Sequence, residues 1–553
     1  MGVASTTPAA TLGAGAGGGW LWGPRLDLLL GAGAGYVLSI PPLVLLGLAG
    51  VSSWPVAAAA LFALLVSGPH YGATILRVYD RREDRRRYAL FAVWTTLLLG
   101  ALFAAGLRSP LLGSLLVTLY ATWSPWHFSG QNYGLALMFL HRRGVAVEPS
   151  TKRLIYASFV LSCALSLLVL HGERSVLTYA SVPIARDSVY RFLSLGLPRG
   201  LVQVLAPATA LAYALALAGA AALLLRRARP RDLGPAAWLV LTQALWFAVP
   251  GALSLFANAL PQGLAFTVVW ISAAHGVQYL WVTSYYARRE DPSLRLGPYF
   301  ARALLAGSAV TIFPALVFAP GLLGSVPWDV GLAILLFSVV NLHHFVLDGA
   351  IWKLRDGRVA KLLLRSAESD APAATLPAPP RSGFRPAMAA LGIVSLAVAG
   401  FDVWEREVGV NRAGGDLDRV LGAAERLAWI GRDAPGIHTQ VARILARSRR
   451  PDEAAAEYRR SLELYPTAEA WVGLGELYAA EKRWEQASKA FASALELEPD
   501  HAPALAHSGR AWLELGRPDL ARDALERARA LAPRNPQIER QLRRAIAAEA
   551  AKS

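Results

Sequence analysis

A single cysteine, Cys163, stands in a chain of 553 residues that has three methionines and only 17% charged residues. One thiol has no disulfide partner and a thiolate metal cluster needs several, so both frameworks are excluded. Soluble domains carry about 25% charged residues. This chain falls below that because 54% of it is hydrophobic, which also excludes disorder for most of its length. Residues 1–20 show neither a basic n-region nor an apolar h-region, so no cleavable signal peptide is expected. Acidic residues are scarce in the first 400 positions, at 15 against 31 basic ones. Residues 401–553 hold 24 of each, so the whole net charge of +16 belongs to the first part. A basic excess confined to an apolar region describes short cytoplasmic loops of a membrane protein and implies no nucleic-acid partner.

Apolar runs recur at lengths that suit a bilayer, which needs about 20 residues per helix. They predict spans at 28–48, 55–78, 88–107, 111–140, 153–170, 201–225, 236–259, 262–287, 299–323, 330–352 and 386–403, a bundle of about eleven helices. The basic clusters Arg77–Arg87, Arg142–Arg153, Arg226–Arg231, Arg288–Arg302 and Lys353–Arg385 each come directly after an even-numbered span. The positive-inside rule then places the N-terminus in the cytoplasm of a bacterial inner membrane, with lipid as the surrounding partner. An odd span count places the chain beyond residue 403 in the periplasm; if the short, Gly/Ala-rich run 386–403 does not cross, that part is cytoplasmic. The predicted organisation is a flexible 1–24, a bundle over 25–365, a Pro/Ala/Ser-rich linker over 366–385, a last span at 386–403, and a soluble domain over 415–553.

That last domain repeats itself. Pro466, Pro499 and Pro533 are spaced 33 and 34 residues apart. Between the first two stand Trp471, Leu474, Gly475, Tyr478, Ala487, Phe491, Ala494 and Pro499. The pattern resembles the tetratricopeptide repeat (TPR) at every signature position. The resemblance covers roughly 435–533 and implies an all-α solenoid that binds a protein or peptide partner. Residues 536–550 are expected to cap it.

Ten histidines occur in the chain, and five fall inside predicted spans: His70, His127, His275, His343 and His344. Ionisable groups within a bilayer are costly and usually functional. Counted to the next basic residue at 1.5 Å per residue, the four motifs lie roughly 10–22 Å deep, which permits a shared layer. Polar companions lie at helical spacing. Asp348 follows His344 by four and Asn341 precedes it by three. Gln131 follows His127 by four, and Gln278 and Tyr279 follow His275 by three and four. Such residues can hold the second nitrogen of a ligating imidazole. The set predicts a site for iron or another first-row metal, because imidazole suits those ions. The site would act as an oxidoreductase on a lipophilic substrate. Haem held by histidine pairs is a second reading, and helix-to-helix hydrogen bonding is a third.

The scattered intramembrane histidines resemble those of integral-membrane carotenoid-cleaving dioxygenases and other histidine-rich membrane oxygenases. The clustered HxxxH and HxxHH boxes of membrane desaturases are absent. Many-helix proteins with extracytoplasmic TPRs also resemble lipid-linked sugar transferases of the protein-mannosylating type. That resemblance implies acids in the first outer loop, where residues 50–55 hold none. A membrane-anchored TPR scaffold for envelope assembly is the non-enzymatic alternative.

Overall fold

Prolines open many of the helices. Pro110, Pro149 and Pro230 each occupy a first helical turn, where the missing N–H would have had no intrahelical partner. A computed structural model describes residues 19–49, 63–80, 82–172, 188–257, 268–320, 322–352, 357–364 and 384–551. The described residues form helices and, apart from two isolated bridges, no strand. The predicted flexible N-terminus, the linker over 366–385 and the outer loop at 50–55 lie largely or wholly outside them.

The chain divides into two units. The first comprises residues 1–184, 190–314 and 334–396. Among the described residues, six helices are long and apolar enough to cross a membrane: Pro149–His171, Arg199–Leu225, Pro230–Phe256, Leu296–Val317, Trp328–Ile351 and Arg385–Asn411. A seventh results if Pro24–Gly31 and Ala34–Gly47, which meet at 57°, form one broken span.

This corrects the expected eleven. The Pro110–Arg142 and Val268–Glu290 helices are present at full length, but polar residues in their middles lower their apolarity. Leu90–Gly106 is apolar but short. Of the run at 55–78, the described part is a π-helical turn over Ala63–Ser67 followed by the Gly68–Tyr79 helix.

Small residues, a partly exposed ion pair and a buried carboxylate hold the bundle. The Gly68–Tyr79 and Leu296–Thr311 helices approach so closely that a Cβ on Gly72 would strike the Ala303 carbonyl, and one on Gly307 the Gly68 carbonyl. Glycine at such crossings lets two backbones meet where bulk hydrophobic packing gives little driving force. Arg385 grips Asp80 through two bonds of 2.5 and 2.6 Å. Asp27, fully buried, accepts hydrogen bonds from the Trp22 backbone N–H and the Trp281 indole, each at 3.0 Å.

The second unit holds residues 185–189, 315–333 and 397–553. Its helices pair as Pro435–Arg447 with Pro451–Leu464, Ala468–Ala480 with Trp484–Leu497, and Ala502–Glu514 with Pro518–Leu531. Leu417–Trp429 precedes them, and Pro536–Ala550 closes the array. The signature residues act as their sizes require. A Cβ on Gly475 would meet the Phe491 ring, and one on Gly509 would meet Leu525. Ala487 and Ala494 are fully buried, and Trp471 and Tyr478 pack against them. Pro499 lies in the turn after Leu497. Each helix pair buries its apolar face on the next pair, as a solenoid must.

Candidate metal centre

Four of the five predicted histidines converge. His70 comes from the Gly68–Tyr79 helix, His127 from Pro110–Arg142, His275 from Val268–Glu290 and His344 from Ala333–Ile351. The ring centroids of His70 and His344 lie 4.2 Å apart, those of His70 and His275 4.9 Å, and those of His127 and His275 5.0 Å. His127 is 5.1 Å from His344. His70 Nε2 and His344 Nε2 are separated by 2.7 Å. His70, His275 and His344 each offer a nitrogen within 4.8 Å of the others, and His127, His344 and Asp348 form a second such trio.

Aromatic neighbours set the ring planes. Phe345 stacks on His127 at 4.2 Å, and Phe128 stacks on His275 at 4.3 Å. The rings are buried, yet His70 Nδ1, His127 Nε2 and both nitrogens of His275 have no protein hydrogen-bond partner. Leaving a buried polar atom unsatisfied costs roughly 1–3 kcal/mol. Four such atoms on rings that face one another fit the demands of a shared cation.

His343 is not part of this cluster. Adjacent helical residues point about 100° apart, and His343 Nε2 instead meets Thr96 Oγ1 at 2.7 Å and Tyr79 Oη at 3.3 Å. The other companions divide in the same way. Asp348 Oδ2 lies 3.3 Å from His344 Nε2 and 3.9 Å from His127 Nε2, on the inner side of the cluster. Asn341 accepts from Tyr71 and donates to the Phe337 carbonyl, with no bond to a histidine ring. Gln131 donates to Gln278 and to the backbone carbonyl of His275, and Gln278 donates to the Gly31 carbonyl. The glutamines therefore tie helices together and leave the imidazoles alone. Thr74, four residues after His70, is a partner that no sequence signal marked. Its hydroxyl lies 3.0 Å from His344 Nδ1.

A cavity of about 340 Å³ adjoins the cluster. His127, Gly130, Gln131, Gly134 and Met138 line it from one helix, a stripe that runs about 16 Å along the axis. Trp126 and Trp352 contribute to its walls, and Asp348 and Tyr279 contribute polar edges. A Cβ on Gly130, Gly134 or Gly349 would meet nothing within 4 Å. The slot is as wide as it is partly because these positions carry no side chain.

In the second unit, His438 sits between two carboxylates. Its Nδ1 lies 2.7 Å from Glu457 and its Nε2 3.0 Å from Asp433. Burial disfavours the charged ring, but those two bonds outweigh it and lift the pKa to about 9. A folded value above the ordinary 6.5 means that the stabilisation is complete below pH 6.5 and disappears as pH rises through 9. The urea midpoint of this unit is therefore expected to fall between pH 6.5 and 9.5. The loss should be about 2 kcal/mol after allowance for solvent screening. In H438L the midpoint should stay level across that window, and an equal fall in the variant would refute the assignment.

Comparison with known proteins bears on this second unit. Two family models described as tetratricopeptide repeat match residues 466–534 and 441–487. Residues 441–534 are thus TPRs. Among solved structures, the MamA protein is similar at 18% identity over 27% of this chain and 83% of its own, with a TM-score of 0.25. YrrB, a TPR protein with an unusual peptide-binding site, is similar at 17% identity over 28% of this chain and 79% of its own, with a TM-score of 0.21. The Cut9–Hcn1 tetramer of the APC/C is similar at 14% identity over 86% of this chain and 98% of its own, with a TM-score of 0.24. No curated protein matches the chain.

Proposed function

We propose that the first unit is a membrane-embedded oxidoreductase of lipophilic substrates. Its metal ion would be held by His70, His127, His275 and His344. The observation that carries this reading is the convergence of four imidazoles from four separate helices, with four buried ring nitrogens that have no hydrogen-bond partner in the protein. Imidazole donors favour iron and its first-row neighbours. Such an ion would supply one-electron chemistry toward dioxygen. The chain's own contribution is positional. Phe345 and Phe128 fix the planes of His127 and His275. The slot lets an apolar molecule lie along the His127 helix with one point beside His127 and Asp348.

The bilayer placement is supported by the six apolar helices. The placement proposed is a bacterial inner membrane with the N-terminus inside and the TPRs in the periplasm, which requires an odd number of spans, as in the count of seven. The TPR unit would recruit a protein or peptide. A scaffold role is favoured by that same unit and leaves the histidine cluster without a purpose.

A direct test supplies iron(II)-loaded protein in detergent with the apolar extract of its host cells under ¹⁸O₂. At least one component is expected to be converted to an ¹⁸O-bearing product, and H275A should convert none. An extract left unchanged by the iron-loaded wild type would contradict the oxidoreductase reading.

A further inference from the structure

The nitrogen that His344 turns away from the other rings is Nδ1, and it ends on Thr74. From there a chain of short contacts runs to a carboxylate. Thr74 Oγ1 is 3.0 Å from His344 Nδ1 and 2.6 Å from Tyr279 Oη. Tyr279 Oη is 2.8 Å from Asp348 Oδ1. The Trp352 indole donates to Tyr279 Oη at 3.1 Å. Thr74, Tyr279 and His344 are at most 2% exposed.

Counting protons gives their direction where Asp348 Oδ1 accepts. It does so in the carboxylate, which has no proton to give. It does so equally in the acid that carries its proton on Oδ2, 3.3 Å from His344 Nε2. Tyr279 has one proton and spends it on Asp348 Oδ1. The indole is a donor only, so the phenol oxygen accepts it. At the 2.6 Å contact the phenol has no second proton, so Thr74 donates there, with Asp348 Oδ1, 3.3 Å from the same hydroxyl, as its other acceptor. Its single proton thus committed, Thr74 can only accept from His344. His344 therefore carries its proton on Nδ1, and the lone pair on Nε2 points into the cluster.

We propose that Thr74 is a positioning residue of the centre. It locks His344 in the Nδ1–H tautomer, with Nε2 ready to bind a metal ion, and Tyr279 and Asp348 hold the threonine hydroxyl in that sense. The proposal rests on the reading of the four-histidine cluster as a metal centre. It adds a residue that no metal-ligand pattern in the sequence contains. The same logic orients many metal-bound imidazoles, where loss of the outer partner weakens binding about 10–100-fold.

The experiment titrates metal-free, full-length protein in detergent with cobalt(II), following the visible ligand-field bands, for the wild type, T74V, T74A, T74S and T96V. T74V keeps the shape of threonine and deletes the hydroxyl, T74S restores it, and T96V removes a hydroxyl that touches only His343 among the five histidines. Far-ultraviolet circular dichroism checks the fold. If T74V does not fold, T74A carries the comparison. The expected result is binding about 10–100-fold weaker in T74V and T74A. T74S should recover to within about threefold, and T96V should match the wild type. Equal affinity in T74V and the wild type, or no rescue by T74S, would overturn the role of Thr74 while leaving the metal centre standing. No cobalt bands in the wild type would overturn the metal reading itself, and Thr74's role with it.

Discussion

H344A is expected to abolish metal binding, while H343A, one residue away, keeps the wild-type content. Both substitutions remove a buried or half-buried imidazole from the same helix, so they cost similar packing. Of the two, only His344 faces the other three rings, and it belongs to both candidate ligand trios. Removing it dismantles either arrangement. His343 ends on Thr96 and Tyr79 outside the cluster. H70A and H275A should resemble H344A, because each takes one member from the more deeply buried trio. A loss of more than about tenfold in bound metal per chain is expected for these three. Mass-spectrometric metal analysis of the purified variants measures it. Equal content in H343A and H344A, whether both full or both empty, would contradict the arrangement.

The second large effect concerns the cavity. G134L is expected to stop substrate turnover and leave metal content unchanged. Gly134 lines the slot two helical turns from His127, and a Cβ there meets nothing within 4 Å. A side chain can therefore start into the slot from this position without a clash at Cβ. Replacing glycine within a helix also removes a cost of about 1 kcal/mol, so the variant should be no less stable than the wild type. What changes is the length of slot open to an apolar molecule. Product formation in the ¹⁸O₂ assay should fall by about 100-fold, the size of effect that misplacing a substrate by about 1 Å produces. G130L, one turn nearer the rings, should act in the same direction. Turnover that survives both substitutions would mean that substrate reaches the histidines by another route.

Much of the molecule is legible in its sequence. The TPR unit is readable from Trp471, Gly475, Tyr478, Ala487 and Phe491, because the spacing of small and large residues in a repeat is itself the packing rule. The histidines stand out because each interrupts an apolar run. The direction of side chains is not legible in the same way. His343 and His344 are equivalent in one dimension, and only the neighbours of their helix decide which one turns inward. Spacing alone assigns Gln131 and Gln278 to the rings, but each glutamine has a better partner on a facing helix. Thr74 escapes notice because threonine is unremarkable in such helices, although its position four residues after His70 repeats the spacing of Tyr279 after His275 and Asp348 after His344. The span count fails for a related reason. The Pro110–Arg142 helix carries His127, Gln131 and Asn132 near its middle, and a helix that buries polar groups inward loses the apolarity by which spans are recognised.

Four imidazoles from four helices are proposed to share one metal ion. X-ray absorption at the edge of whatever metal co-purifies tests it most directly, because the outer-shell scattering of imidazole is distinctive. The account predicts about one metal per chain with three or four nitrogen ligands at about 2.0–2.2 Å and an imidazole pattern. A protein that purifies folded but without metal, or whose metal shows no imidazole shell, would contradict it.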